Sequence, residues 1–145
     1  MLDLYQKAKG GEFCAWDEYY PTIREVQHDL DTDNLYVLTD GRRIIGAISI
    51  VPENEMDGFC CWTEKNAREI ARVAVDTDYR GNGLSFEMVQ NIKPILRRGG
   101  YEAIHLSVVK SNIPALKTYI KAGFSIVGEA DMYGNSYYLM EKAIN

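Results

Sequence analysis

Between residues 69 and 109 the chain reads as strand, glycine loop, helix, strand, and that order limits what it can fold into. "EIARVAV" (69–75) is β-branched and aliphatic, as strands are. From Leu84, apolar residues recur at Met88, Ile92, Ile95 and Leu96, the spacing of one helix face, and Gly99-Gly100 stops the run. Arg97 and Arg98 suit the negative end of that helix. Pro94 lies inside it without the N–H that would bond the carbonyl of Gln90, so a kink is expected there. "AIHLSVV" (103–109) is a second strand. A strand that reaches its successor through a helix pairs with it in parallel, which implies a sheet with a helical layer.

The flanking segments extend this unit. "MLDLYQKAK" reads as a short helix closed by Gly10-Gly11. "YYPTIREVQHDL" reads as a helix with Pro21 in its first turn and Ile23, Val26 and Leu30 on one face. "LYVLTDGRRIIGAISIV" is a hairpin turning at Asp40-Gly41. "PENEMDGFCCWTEKN" follows as a polar loop with an aromatic centre and no assignable structure. After the second strand come a short helix, "IPALKTYIKAGF", and two further strands, "SIVGEA" and "SYYLMEKAI". The expected fold class is α/β (α+β): a mixed central sheet with helices on both faces, residues 1–145 forming one domain, since no repeat or low-complexity linker interrupts them.

Composition removes several function classes. With 46% hydrophobic and 26% charged residues the chain can bury a core. A net charge of −5 argues against a nucleic-acid partner, which needs a basic face. Cys14, Cys60 and Cys61 have neither the number nor the spacing of a disulfide framework or a zinc site, so no metal is expected and free thiols in a reducing cytoplasm fit best. No apolar segment reaches membrane-spanning length, and the N-terminus has no apolar signal core. A cytoplasmic location with no membrane partner is the expectation.

"DYRGNGLS" (78–85) places an arginine and two glycines at the start of the long helix. Helix N-termini attract anions, and glycines let a phosphate approach the backbone, although a plain tight turn would use the same residues. A nucleoside-triphosphate loop needs Lys and Ser/Thr after its second glycine, and "GNGLSF" has neither. A dinucleotide loop needs a third small residue where Phe86 stands. The stretch does resemble the coenzyme A loop of GNAT-type N-acetyltransferases: Arg80, Gly81-Asn82, Gly83, Leu84, Ser85, directly after a strand. In register with it, "NIPALKTYIKAGF" is similar to the same family's later segment through Asn112, Ala115, Tyr119, Gly123 and Phe124. The resemblance covers roughly residues 20–145. It departs at Ser85, where the family has Gly or Ala, and at the start, where the resemblance lacks the family's first edge strand.

The resemblance implies acetyl-CoA as co-substrate and an amine acceptor, either a small molecule or a peptide. It implies that Arg80, Gly81, Asn82, Gly83, Leu84 and Ser85 bind the pyrophosphate. Backbone groups of Val73, Ala74 and Val75 would pair with the pantetheine arm in a gap between two splayed strands, with one amide facing the thioester oxygen. Tyr119 would assist departure of the thiolate, Asn112 would anchor the arm or cap a helix, and Glu69 would take the amine's proton. Glu53, Glu55, Asp57, Glu64 and bulk water are rivals for that last role. Trp62, Tyr133, Tyr137 and Tyr138 could line an acceptor pocket, while His28 and His105 have no metal partners in the sequence. A CoA-binding sensor on the same fold is the alternative function, and dimers are common among similar proteins.

Overall fold

The structure, a computed structural model, describes residues 4–5, 21–51 and 61–144. The rest of the N-terminal helix reading, and most of the loop read as unassignable, lie outside the described residues. Helix α1 (Ile23–Asp31) precedes the hairpin β1 (Leu35–Asp40) and β2 (Arg43–Val51). Then come β3 (Ala67–Val75), a 3-10 turn (Thr77–Tyr79), α2 (Leu84–Arg98), β4 (Ala103–Val109), α3 (Ile113–Lys121), β5 (Ser125–Met132) and β6 (Asn135–Ala143). The six strands form one sheet in the order β1-β2-β3-β4-β6-β5. Only β3 and β4 run parallel, as a crossover through α2 requires.

The larger core lies on the sheet face covered by α2 and α3. There Met88, Val89, Ile92 and Leu96 meet Ile48, Ile50, Ile70, Ile104, Leu106 and Met140. Gly46 lets α2 come this close, because a Cβ there would stand 2.9 Å from the sulfur of Met88. Helix α2 runs through Pro94 as one element. On the opposite face Val26 of α1 packs with Ala47 and Ala74, and Trp62 packs with Leu139.

Two expectations for α1 are corrected. Pro21 stands before the helix rather than in its first turn, because Thr22 is the N-cap and forms a capping box with Glu25. Ile23 and Leu30 are 57% and 52% exposed, while Val26 and Asp29 are buried. The apolar count pointed the helix the wrong way because the buried face holds a charge with a partner. Asp29 accepts hydrogen bonds from Arg72 Nε at 2.9 Å and Nη2 at 2.6 Å, and from the Ser49 hydroxyl at 2.5 Å.

Arg72 sits in the left-handed region, with φ of 50°. Opposite it, β2 advances from Ala47 to Ser49 while β3 goes from Ala74 back to Ala71, so β3 carries one extra residue. This bulge changes which side chains face inward. Ile70 faces the α2 side; beyond the bulge Val73 and Val75 do so, and Ala74 turns to the α1 side.

Candidate active site

The parallel pairing of β3 with β4 is short. Ala67, Arg68 and Glu69 pair with Ala103, Ile104 and His105, and there it ends. On its other edge β3 stays paired to β2 as far as Val75, and β4 stays paired to β6 as far as Val109. The two strands therefore diverge beyond Glu69 and His105. A gap opens whose β3 edge is Val73, Ala74 and Val75, with backbone groups that have no ladder partner on the β4 side. The sheet thus offers an extended ligand a place to pair.

The glycine loop lies at the open end of this gap, just past the end of β3. Gly81 and Gly83 have φ of 84° and 71°, and an added Cβ at either would meet nothing within 4 Å. Gly83 is the N-cap of α2, and no side chain caps the helix, so its first N–H groups point into that space. Leu84 and Ser85 begin the helix, and Arg80 is exposed beside it. The Asn82 amide donates to the carbonyl of Tyr79 at 2.9 Å, fixing the loop on itself. Arg43 donates to Asp76 at 2.8 Å, and the Tyr79 hydroxyl donates to Asp40 at 2.6 Å, so the β1–β2 turn braces the same loop. A helix start without a side-chain cap, flanked by two open glycines and an exposed arginine, suits a pyrophosphate.

Across the gap, Asn112 follows the end of β4 and caps α3, its side-chain oxygen accepting from the N–H of Ala115 at 3.2 Å. The structure gives Asn112 a capping role. Tyr119, on α3, is 8% exposed and shares the core with Val75, Leu106 and Val108. Its ring meets Phe124 edge-on at 5.8 Å. Burial pushes its pKa up to about 12, so the hydroxyl keeps its proton at neutral pH.

Glu69 stands at the closed end of the gap, half-buried, on the face opposite Ile70. Three of the four aromatics that could line an acceptor pocket take separate places. Tyr133 is 73% exposed in the β5–β6 turn, and Tyr138 packs on the α2 side of the sheet with Lys110 over its ring. Trp62 instead stacks on His105, with ring centroids 3.9 Å apart.

His105, Glu141 and Thr63 form a cluster that the sequence did not announce as a unit. His105 Nε2 lies 2.8 Å from Glu141, whose carboxylate also accepts from the Thr63 hydroxyl, the Thr63 N–H and the Glu64 N–H. Burial alone would raise the Glu141 pKa, but these hydrogen bonds together hold it below the ordinary carboxylate value. The only sequence signal was alternation on β4, which turns His105 away from Ile104 and Leu106. Among the described residues no group of three or more His, Cys, Asp or Glu side chains is arranged to hold a metal, and no helix is long and apolar enough to cross a membrane.

A sheet that opens beside a glycine-flanked helix start is the arrangement that the resemblance to the N-acetyltransferases implies. The chain belongs to the acetyltransferase (GNAT) family, whose model matches residues 1–124. Its fold is shared with an acetyltransferase from Salmonella typhimurium solved with acetyl-CoA (16% identity, TM-score 0.75, covering 99% of this chain and 86% of that one). A ribosomal-protein-alanine N-acetyltransferase from Brucella melitensis is similar at 18% identity and TM-score 0.76, over 98% and 91% of the two chains. An aminoglycoside 6'-N-acetyltransferase complexed with coenzyme A gives 16% identity and TM-score 0.75, over 98% and 89%. No curated protein matches the sequence.

Proposed function

We propose that this acetyltransferase moves the acetyl group of acetyl-CoA to a primary amine by direct attack, with both substrates bound together. The observation that carries the reading is the β3–β4 gap running from the cradle at Gly81–Ser85 to Glu69, with Tyr119 packed in the core beside Val75. In this reading Arg80 and the N–H groups at the start of α2 hold the pyrophosphate. The β3 edge at Val73–Val75 pairs with the pantetheine arm, and an amide there stabilises the oxyanion of the tetrahedral intermediate. Glu69 takes the proton that the amine must lose. The Tyr119 hydroxyl donates to the leaving sulfur, a task that its burial supports by keeping it protonated. Asn112 acts indirectly by fixing the start of α3. A net charge of −5 suits a cationic acceptor, and the sparse cysteines suit a cytoplasmic setting.

Free-thiol release from acetyl-CoA with spermidine, lysine, kanamycin and an alanyl peptide tests the reading, alongside CoA calorimetry. Turnover with at least one amine is expected. Tight CoA binding without thiol release from any of them would instead make the protein a CoA-binding module.

A further inference from the structure

Phe86 stands where a dinucleotide loop needs a small residue, and the fold gives its ring a use. It lies in the first turn of α2, directly after Ser85, with its half-buried ring packed on the margin of the larger core. Helix α3 follows β4 as α2 follows β3, so the two helices cover the same face of the sheet. From the last turn of α3, Lys121 reaches back until its Nζ stands 4.8 Å from the centre of the Phe86 ring. At that distance the ring attracts an ammonium and restricts where it can go. Among the described residues no carboxylate lies within ion-pair distance of Lys121.

The two flanks of the glycine loop carry opposite charge. In the sheet, β2 and β4 lie on opposite sides of β3, whose end leads into the loop. On the β1–β2 side stand Asp40, Asp76 and Asp78, and of these Asp40 and Asp78 are exposed. On the β4 side, α3 contributes Lys117 and Lys121 and has no acidic residue. Glu87, the one acid of α2, is exposed about 100° further round the helix than Phe86. A ligand seated at the start of α2 with a second anionic group is thus repelled on one flank and attracted on the other. Coenzyme A is such a ligand: besides its pyrophosphate it bears a phosphate on the ribose 3′ oxygen, one sugar ring away.

We propose that Lys121 recognises the 3′-phosphate of coenzyme A, with Phe86 as the residue that positions it. This rests on the acetyl-CoA reading and adds to it a means of choosing coenzyme A over its 3′-dephospho form. An ammonium has three donors and a compact charge, so it can bond a phosphate while its stem stays over the ring. The pantetheine arm separates this phosphate from the thioester, so the contact acts on affinity rather than on the chemical step.

Calorimetry of the whole chain with coenzyme A and with 3′-dephospho-coenzyme A tests the assignment. At low salt the wild-type protein should bind coenzyme A at least about tenfold more tightly, and added salt should narrow that ratio. Lys121 is exposed, so Lys121→Met leaves the core intact. In that variant the affinity for coenzyme A should fall until the ratio is within about twofold, while the dephospho form binds as before. Lys121→Arg keeps the charge and should retain most of the preference. Phe86→Leu should give an intermediate ratio, whereas a merely structural role for the ring would weaken both ligands alike and leave the ratio unmoved. Equal wild-type affinities, an unchanged ratio in Lys121→Met, or a loss shared equally by both ligands overturns the proposal and leaves the pyrophosphate site standing. Wild-type protein that binds neither ligand fails the acetyl-CoA reading itself, and the proposal with it.

Discussion

Asp29→Ala removes the acceptor of three hydrogen bonds and leaves the Arg72 guanidinium beneath α1 without its carboxylate. The two side chains are 2% and 9% exposed, so solvent does not replace what is lost. Breaking a buried pair from one side costs about 3–5 kcal/mol, whereas an exposed pair would be worth under about 1 kcal/mol. For a chain of this size about 4 °C of melting temperature accompanies each kcal/mol, so the variant should melt on the order of 10–20 °C lower. The pair also holds Arg72 at a φ of 50°, a conformation that a non-glycine residue adopts at a cost of about 1–2 kcal/mol. Without it the bulge loses its anchor, and CoA affinity should fall along with stability. The assay is thermal melting of Asp29→Ala, Arg72→Ala and the double variant, with CoA calorimetry on each well below its melting point. The double variant should be less destabilised than the two single losses summed, by at least about 1 kcal/mol. Additive losses, or an Asp29→Ala melt within 2 °C of wild type, would refute the argument that this pair pins the bulge.

Tyr119→Phe keeps the ring against Phe124 and should lower turnover by about 10²-fold or more with little change in CoA affinity; wild-type turnover would return Tyr119 to a packing role. Because burial raises the Tyr119 pKa to about 12 from an unfolded value near 10, its contribution to stability is full below pH 10 and is lost as pH rises towards 12. Melts of the Phe variant across that window should lack this part of the alkaline loss. Gly83→Asp puts a carboxylate into the cradle, where repulsion of up to about 4 kcal/mol at about 4 Å should weaken CoA binding at least tenfold in calorimetry of a still-folded protein. Glu69→Gln should depress the rate most near neutral pH and recover at alkaline pH, and an unchanged pH–rate profile would move the proton to another acceptor.

What could be read in the sequence was whatever is encoded locally. The crossover through α2 came from apolar spacing, and the loop came from the Arg80-Gly81-Asn82-Gly83 run at the helix start. The Asn112 cap and the hairpin at Asp40-Gly41 are likewise written in neighbouring residues. What stayed hidden depends on partners far along the chain. Asp29 is buried only because Arg72, 43 residues later, answers it, so a helix wheel drawn on α1 alone chose Ile23 and Leu30 instead. His105 looked unremarkable because Glu141 is 36 residues away and the two meet only once β4 and β6 pair. The bulge leaves almost no mark in the sequence: "IARVAV" alternates well enough as an ordinary strand, and simple alternation from Ile70 would have put Arg72 in the core.

That extra residue in β3 also decides which kinds of mutation the chain can survive. Substitutions at Ala71 or Val73 change one side chain; deleting Arg72 between them removes the bulge itself and leaves Val73, Ala74 and Val75 on the faces they already hold. Straightening the strand with every residue kept would instead swing Val73 and Val75 towards α1 and Ala74 towards α2, exchanging the wall of the larger core for that of the smaller one. A straightened β3 could also continue along β4 past Glu69, zipping shut the opening that a ligand needs. Length at this point is therefore held more tightly than identity. A deletion scan through 70–75 should find losses where a substitution scan finds tolerance.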